Sequence, residues 1–409
     1  MPMEAKRVKV LMFAEAVTLA HVARPLALAS FLDPARYEVV IACDRRYSGF
    51  VAGGHWQHRE LTTIPSERFL EALARGSPVY DFATLAEYFK DDARLIESVS
   101  PDIVVGDFRL SLSVSARMAK VPYIAIANAY WSPAYQGRIP VPVLPMTKML
   151  PLPIASTLFG IFQPLAFAIH CGPLNRLRKL HGLPSLGYNL RRIYTDSDHL
   201  LVPDLEQLHP LPRVVPSPHT FLGPLLWSPR IALPDWWDEL SETQDPVVYV
   251  ALGSSGSRDA FATVLRALDG LPIRVIASSA GALEPAHIPQ NARIAPYLPG
   301  DVATARAKLV ICNGGSMTTQ QALDVGVPMM GIASNMDQFF NMAPIQAQGA
   351  GVVVRADRLS ADAVRALCTR MLGSDDAARS AIRLRAHMHS ANHSPGAAFD
   401  RVVDALLKR

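Results

Sequence analysis

Residues 310–354 read VICNGGSMTTQQALDVGVPMMGIASNMDQFFNMAPIQAQGAGVVV. The run Lys308-Leu-Val-Ile-Cys312 that leads into it is short and apolar, as a strand buried on both faces of a parallel sheet should be. It enters a turn at Gly314-Gly315, and the hydroxyl residues Ser316, Thr318 and Thr319 follow. Helix-periodic apolar residues run through Ala322 and Leu323, Gly326 ends the helix, and Val327-Pro328 opens the next strand. Strand, turn, helix, strand is the repeating unit of a parallel α/β sheet. Paired glycines let the backbone come close to a ligand. The N–H groups at a helix start favour an anion, a phosphate above all. Asp337-Gln338 falls just past the following strand, at the edge where open α/β sheets bind ligands.

This frame resembles the C-terminal signature of nucleotide-sugar-dependent glycosyltransferases of the GT-B fold. That signature runs His-Gly-Gly, a Ser or Thr three residues on, an acidic residue three later, Gly-Val-Pro, then Asp-Gln and Asn. The chain keeps Gly314, Gly315, Thr318, Gly326-Val327-Pro328, Asp337-Gln338 and Asn341. Asn313 stands where the family usually has His, and Gln321 where it usually has Glu. The resemblance implies two doubly wound, Rossmann-like α/β domains facing across a cleft. The implied segments are an acceptor-binding domain over 1–224, a linker over 225–245, a nucleotide-sugar-binding domain over 246–395, and a last helix over 396–409 that crosses back.

Earlier segments extend the likeness. Arg7 to Ala14 reads as a first buried strand, a helix runs from about His21 to Phe31, and Tyr37 to Ala42 is a second strand. His21 lies where strand hands over to helix. Read alone, it is as easily a solvated helix-start histidine as a functional one. In the family a catalytic His sits four residues before a Pro, the spacing of His21-Val-Ala-Arg-Pro25, although Ala20 replaces the usual Gly. The family's second member is an Asp ending a strand that begins Pro-Asp, which Pro101-Asp-Ile-Val-Val-Gly-Asp107 matches. Asp107 is therefore the expected partner, and Asp102 should lie at the opposite end of the sheet. A neutral imidazole can take a proton from a hydroxyl near neutral pH, and a carboxylate behind it fixes the tautomer.

The resemblance implies the donor contacts residue by residue. Gly253 and Ser254, after the strand in Asp245-Pro-Val-Val-Tyr-Val-Ala-Leu-Gly253, would meet the phosphate region. Tyr297 would stack on the base, and Leu298 would read its edge through the backbone. Asn313 would contact the diphosphate without a positive charge. Gly315, Ser316 and Met317 would offer backbone N–H groups, and Thr318 a hydroxyl. Gln321 would reach the ribose, and Asp337 and Gln338 the sugar hydroxyls. No metal is needed in that design, and no cofactor beyond a UDP- or dTDP-linked co-substrate.

Tyr130, Trp131 and Tyr135 follow a strand over Tyr123 to Ala127 and suggest an aromatic or apolar acceptor. The next run, IPVPVLPMTKMLPLPIASTLFGIFQPLAFAI, holds prolines at 140, 142, 145, 151, 153 and 164, which should forbid one long helix. It reads as an acceptor cleft, as peripheral contact with a membrane through 139–170, or as ordinary packing. Arg45 and Arg46 read as a solvated face. His55 and His58 flank Trp56 in a loop with too few ligands for a metal.

Composition sets outer bounds. With 409 residues, half of them apolar and 19% charged, the chain has material for two packed domains and is not a disordered polymer. A net charge of +4 argues against a dedicated nucleic-acid binder. Cys43, Cys171, Cys312 and Cys368 lack disulfide or metal spacing, which suits a reducing cytoplasm. Lys6-Arg-Val-Lys9 and the apolar residues after it could pass for a leader, but Glu15 and His21 interrupt the run and favour a strand and helix. The expected activity is inverting sugar transfer to a small, largely apolar hydroxyl acceptor. Rival readings are a membrane-associated lipid glycosyltransferase, a nucleotide-sugar 2-epimerase and a non-catalytic nucleotide-sugar-binding protein.

Overall fold

The computed structural model describes residues 6–212, 218–241, 244–253, 257–281, 285, 287–390 and 394–408. Its contacts separate into two units. One comprises 1–137, 158–225 and 393–409, and the other 138–157 and 226–392.

The first unit is built on strands β1 (Val8–Ala14), β2 (Tyr37–Cys43), β3 (Gln57–Glu60), β4 (Ile103–Asp107), β5 (Tyr123–Ile126), β6 (His199–Val202) and β7 (His219–Phe221). Their order across the sheet is β3-β2-β1-β4-β5-β6-β7, and every pairing is parallel. The order reverses direction between β1 and β4, where Ala14 pairs with Asp107. Ligands of doubly wound sheets bind at such a switch point, beyond the carboxyl ends of the strands. The central strands are apolar on both faces because helices cover both; Leu11, Met12, Phe13, Ile103, Val104 and Val105 are all fully buried. β3 has the polar sequence Gln-His-Arg-Glu and lies at the sheet edge, so it carries no apolar run by which to be recognised.

The second unit repeats the plan with β8 (Val247–Ala251), β9 (Arg274–Ser278), β10 (Ala292–Ala295), β11 (Leu309–Cys312), β12 (Met329–Ala333) and β13 (Gly351–Arg355). The order is β10-β9-β8-β11-β12-β13, again all parallel. Here the switch point lies between β8 and β11, with Ala251 paired to Cys312. The two doubly wound sheets expected of the GT-B fold are both present.

Residues 138–157 belong by contact to the second unit. The Val143 amide donates to the Ser334 carbonyl at 2.7 Å. Arg355 donates to the carbonyls of Val141 and Pro142 at 2.8 and 3.2 Å, and Thr147 donates its hydroxyl to Asp357 at 2.5 Å.

The proline-rich run departs from expectation. One helix spans Leu152–Leu180, with Pro164 and Pro173 inside it. Pro153 sits in the first turn, where a missing N–H costs nothing. Each interior proline removes one helical hydrogen bond. The C-terminal turns are held by packing, since Cys171, Leu174 and Leu177 are buried in a core cluster with Leu85, Tyr88 and Val114. Tertiary contact thus outweighs the local penalty.

The final helix, Pro395–Leu407, packs on the first unit. Phe399 is fully buried and meets the Tyr37 ring edge-on at 5.6 Å. Tyr37 donates its hydroxyl to Asp400 at 2.5 Å, and Arg36 pairs with Asp404 at 2.7 Å.

Candidate active site

β1 delivers the chain into the helix Leu19–Ser30, and His21 occupies its first turn. β4 ends on Asp107 one strand away. Sheet register therefore brings the two together: His21 Nδ1 lies 2.7 Å from Asp107 Oδ1, with Asp107 fully buried and the His21 side chain 17% exposed. An ionised carboxylate only accepts, so hydrogen bonding assigns the proton to Nδ1 and leaves Nε2 as the free basic lone pair. Asp102 sits at the other end of the sheet, accepting from the Lys9 amide at 2.8 Å.

Two residues complete this arrangement and were not singled out from sequence. Arg24, one turn after His21, donates to Asp107 Oδ1 at 2.8 Å, and its Nε lies 2.7 Å from Oδ2. It also donates to Asn128 Oδ1 at 2.8 Å, and Asn128 in turn donates to Asp204. Arg24 Nη2 is 2.8 Å from His21 Nδ1, but a protonated Nδ1 offers it no lone pair, so its hydrogen bond goes to the carboxylate. Phe108, at φ +60°, stacks on the imidazole with centroids 4.9 Å apart and planes 14° apart. Tyr194 and Tyr80 meet the other sides of Phe108 at 5.2 and 5.9 Å. Both also line an apolar recess with Leu110, His170 and Leu174. Arg24 looks like any helix arginine in the sequence, and nothing there marks Phe108 as a residue with positive φ.

Beneath the pair lies a buried charge cluster. Arg109 donates to Glu15 at 2.9 Å, to Asp92 at 2.9 Å and to the Thr62 carbonyl at 2.9 Å, all three charged side chains being fully buried. Its guanidinium lies 3.5 Å from the centre of the Tyr88 ring. Burial raises the carboxyl pKa values of Glu15 and Asp92 despite the attraction of Arg109. The cluster ties the segments after β1, β3 and β4 to the helix Phe82–Val99, which fixes the loops that carry the pair.

The aromatic residues after β5 divide. Tyr130 is 1% exposed and its ring packs edge-on to His209 at 5.2 Å. Trp131 is half-buried and meets Tyr194 at 4.7 Å. Tyr135 is half-buried beside Arg191, which donates to the carbonyls of Tyr130 and Tyr135 at 3.0 and 2.9 Å.

Among the described residues neither ring nitrogen of the buried His209 has a hydrogen-bond partner, and burial lowers its pKa below the usual 6.5. The fold therefore favours the neutral ring. Below pH 6.5 the unfolded chain binds a proton that the folded chain refuses, so stability falls as pH drops through that range. His209→Phe should flatten this acid slope in urea titrations at successive pH values, while matching the parent at pH 8. An unchanged slope would locate the acid sensitivity elsewhere.

In the second unit the switch point is occupied by the 313–318 turn. Gly314, at φ +82°, has its amide 3.3 Å from Cys312 Sγ. A Cβ there would stand 2.8 Å from Met342 Cγ, so glycine is required twice over. Asn341 donates to the Gly314 carbonyl at 2.9 Å and to Thr319 at 2.7 Å. The Asn313 side chain accepts from the Gly315 amide at 2.9 Å, so that amide is already engaged. The helix Ser316–Val325 begins with no side-chain cap, and Ser316, Met317 and Thr318 are half-buried around its N-terminus. Gly253, at φ +66°, adjoins Asn313: a Cβ on it would lie 3.1 Å from Nδ2. Ser254 lies outside the described residues.

Other expected donor residues have internal partners. Gln321 is 6% exposed and donates to the Trp227 carbonyl at 2.7 Å and to Ser228 at 3.0 Å. Gly300 makes room for it, since a Cβ there would fall 2.4 Å from Gln321 Oε1. The two positions thus form one packed unit. Gln338 Oε1 accepts from the Ser334 amide at 2.7 Å and from its hydroxyl at 3.0 Å, closing a capping box with Asn335. Asp337 beside it is half-buried. Tyr297 donates its hydroxyl to the Ala280 carbonyl at 3.1 Å, and Leu298 is buried. Arg46 is bound to Asp44, Thr63 and the Ile64 carbonyl rather than merely solvated. Among the described residues no cluster of three or more His, Cys, Asp or Glu could hold a metal ion.

Comparison with known proteins agrees with this architecture. Residues 263–404 match the family model described as erythromycin biosynthesis protein CIII-like, C-terminal domain. A PGL/p-HBAD biosynthesis rhamnosyltransferase of Mycobacterium bovis (strain BCG / Pasteur 1173P2) is 48% identical over 380 residues, which is 93% of this chain and 84% of the relative. A PGL/p-HBAD biosynthesis glycosyltransferase of Mycobacterium tuberculosis (strain ATCC 25177 / H37Ra) is 47% identical over 380 residues, covering 93% and 88%. The spinosyn forosaminyltransferase SpnP shares the fold, with a TM-score of 0.70 at 20% identity over 99% of this chain and 100% of its own. The 47–48% identity to the mycobacterial enzymes over 93% of the chain places it in the family of the PGL/p-HBAD biosynthesis glycosyltransferases, as a sugar-transferring enzyme of the GT-B fold.

Proposed function

We propose that the enzyme transfers a sugar, with inversion, from a UDP- or dTDP-linked donor to the hydroxyl of a small, largely apolar or aromatic acceptor. The observation that carries this reading is the His21–Asp107 contact of 2.7 Å at a switch point, with Arg24 held against the same carboxylate. His21 Nε2 takes the acceptor proton as the oxygen attacks the anomeric carbon, and Asp107 stabilises the imidazolium that forms. One displacement inverts the centre. The amides of Ser316, Met317 and Thr318 hold the departing diphosphate at the helix N-terminus. Asn313, in place of the family's usual His, shapes that turn through Gly315 and adds no charge. Asp337 serves the sugar hydroxyls, and Tyr297 the base. Gln321 donates its Nε2 to Trp227 and Ser228, which leaves its Oε1 as the atom to accept from the ribose. Trp131 and Tyr135 are the acceptor candidates that retain exposed surface.

On this reading residues 246–395 bind the nucleotide sugar, residues before 225 bind the acceptor, and the last helix braces the acceptor side. A cytoplasmic setting fits four buried, unpaired cysteines and a nucleotide-linked substrate. A membrane contact within 139–170 would suit an acceptor delivered from lipid.

A thermal-shift panel followed by product analysis tests the proposal. A UDP- or dTDP-sugar, with rhamnose tried early because a relative bears the name rhamnosyltransferase, should stabilise the fold by about 2.7 kcal/mol at a hundredfold excess over its Kd. Free nucleoside diphosphate should then appear only when an alcohol or phenol is present. Binding without release across a broad acceptor set would favour a nucleotide-sugar sensor. A new epimer formed without acceptor would favour an epimerase.

A further inference from the structure

The helix Leu152–Leu180 has two unlike halves. Cys171, Leu174 and Leu177 bury its C-terminal turns in the first unit. Ile161, Phe162, Leu165 and Ile169, by contrast, are 64%, 59%, 63% and 56% exposed. Residues 161, 165 and 169 recur every four positions and 162 adjoins them, so they form one stripe on one side of the helix. No charged residue occurs from 152 to 169. By length and composition the helix is long and apolar enough to cross a membrane, and only 11% of its most apolar window is buried.

The charge along this stretch of the chain is one-sided. No Asp or Glu occurs between Phe108 and Thr195, so all 36 acidic residues lie outside that segment, while ten of the 40 Lys and Arg lie within it. Arg176 and Lys179, on the same helix beyond the stripe, are exposed, as is Arg192. Exposed apolar side chains followed by cations, in a stretch of chain without acidic residues, are the pattern of an interfacial helix on an anionic bilayer. Solvent-facing protein would not be expected to keep four such side chains bare together.

We propose that residues 158–180 form a peripheral docking surface for anionic phospholipid. Ile161, Phe162, Leu165 and Ile169 enter the acyl boundary while Arg176, Lys179 and Arg192 meet the headgroups. The packed C-terminal turns keep the helix attached to the protein, so it lies along the bilayer rather than through it. This goes beyond the transfer chemistry and does not depend on it.

The test is flotation of the full chain, without donor or acceptor, on vesicles of phosphatidylcholine alone or mixed with phosphatidylglycerol. The chain should float with the mixed vesicles, much less with the neutral ones, and less as salt rises. Leu165→Glu combined with Ile169→Glu should lower the bound fraction about tenfold, through lost apolar burial and added repulsion. Its melting midpoint should match the parent because both side chains are exposed. Lys179→Glu should weaken binding to mixed vesicles alone. Failure of the parent chain to float on anionic vesicles overturns the proposal, as does full retention of binding by the double variant. A lipid-free dimer that the double variant abolishes would instead assign the stripe to a second copy of this chain.

Discussion

Alanine in place of His21 is expected to cut kcat by between about a hundredfold and ten-thousandfold, the range supplied by a positioned general base. The loss should fall on kcat rather than on donor affinity, because the groups assigned to the diphosphate are backbone amides near Ser316 in the other unit. Thermal stabilisation by the nucleotide sugar should therefore persist in the variant. A second signature separates base catalysis from a packing defect. An acceptor with a more acidic hydroxyl needs less help from a base, so the variant should lose less activity on a phenol than on an alkyl alcohol. Equal losses on both, or turnover within a few-fold of the parent, would remove His21 from the mechanism.

The second large effect concerns stability. Arg109→Leu should destabilise the protein by about 3–5 kcal/mol, because it leaves Glu15 and Asp92 buried without their counter-charge. Urea unfolding gives the magnitude, and its pH dependence identifies the cause. The carboxyls left behind hold their protons more tightly when folded than when unfolded. The deficit should therefore be greatest at neutral pH and shrink as pH falls toward the ordinary carboxylate range. A loss below about 1 kcal/mol, typical of exposed pairs, would mean that water reaches the cluster.

How much of this could be read from the sequence follows from the range of each interaction. The turn at Gly314-Gly315 and the strand before it were legible because their signals lie within a few residues. His21 and Asp107 were picked out by the family resemblance, not by their own local pattern, and the parallel register of β1 and β4 sets them side by side. The Glu15–Arg109–Asp92 cluster joins residues far apart in the chain, and each alone resembles a surface charge. Gln321 gave no sign of its bonds to Trp227 and Ser228, which depend on the space left by Gly300. The prolines misled because packing at Cys171, Leu174 and Leu177 supplies more than the local rules remove. β3 was hidden because an edge strand of polar residues has no apolar pattern.

The position of the final helix also bears on how the protein is made. Phe399 and Asp400 complete the surface around Tyr37, yet they leave the ribosome after every strand of both sheets. The first unit is thus completed only after the second has been made, and a nascent chain carries an uncovered flank beside β2 until Phe399 and Asp400 emerge.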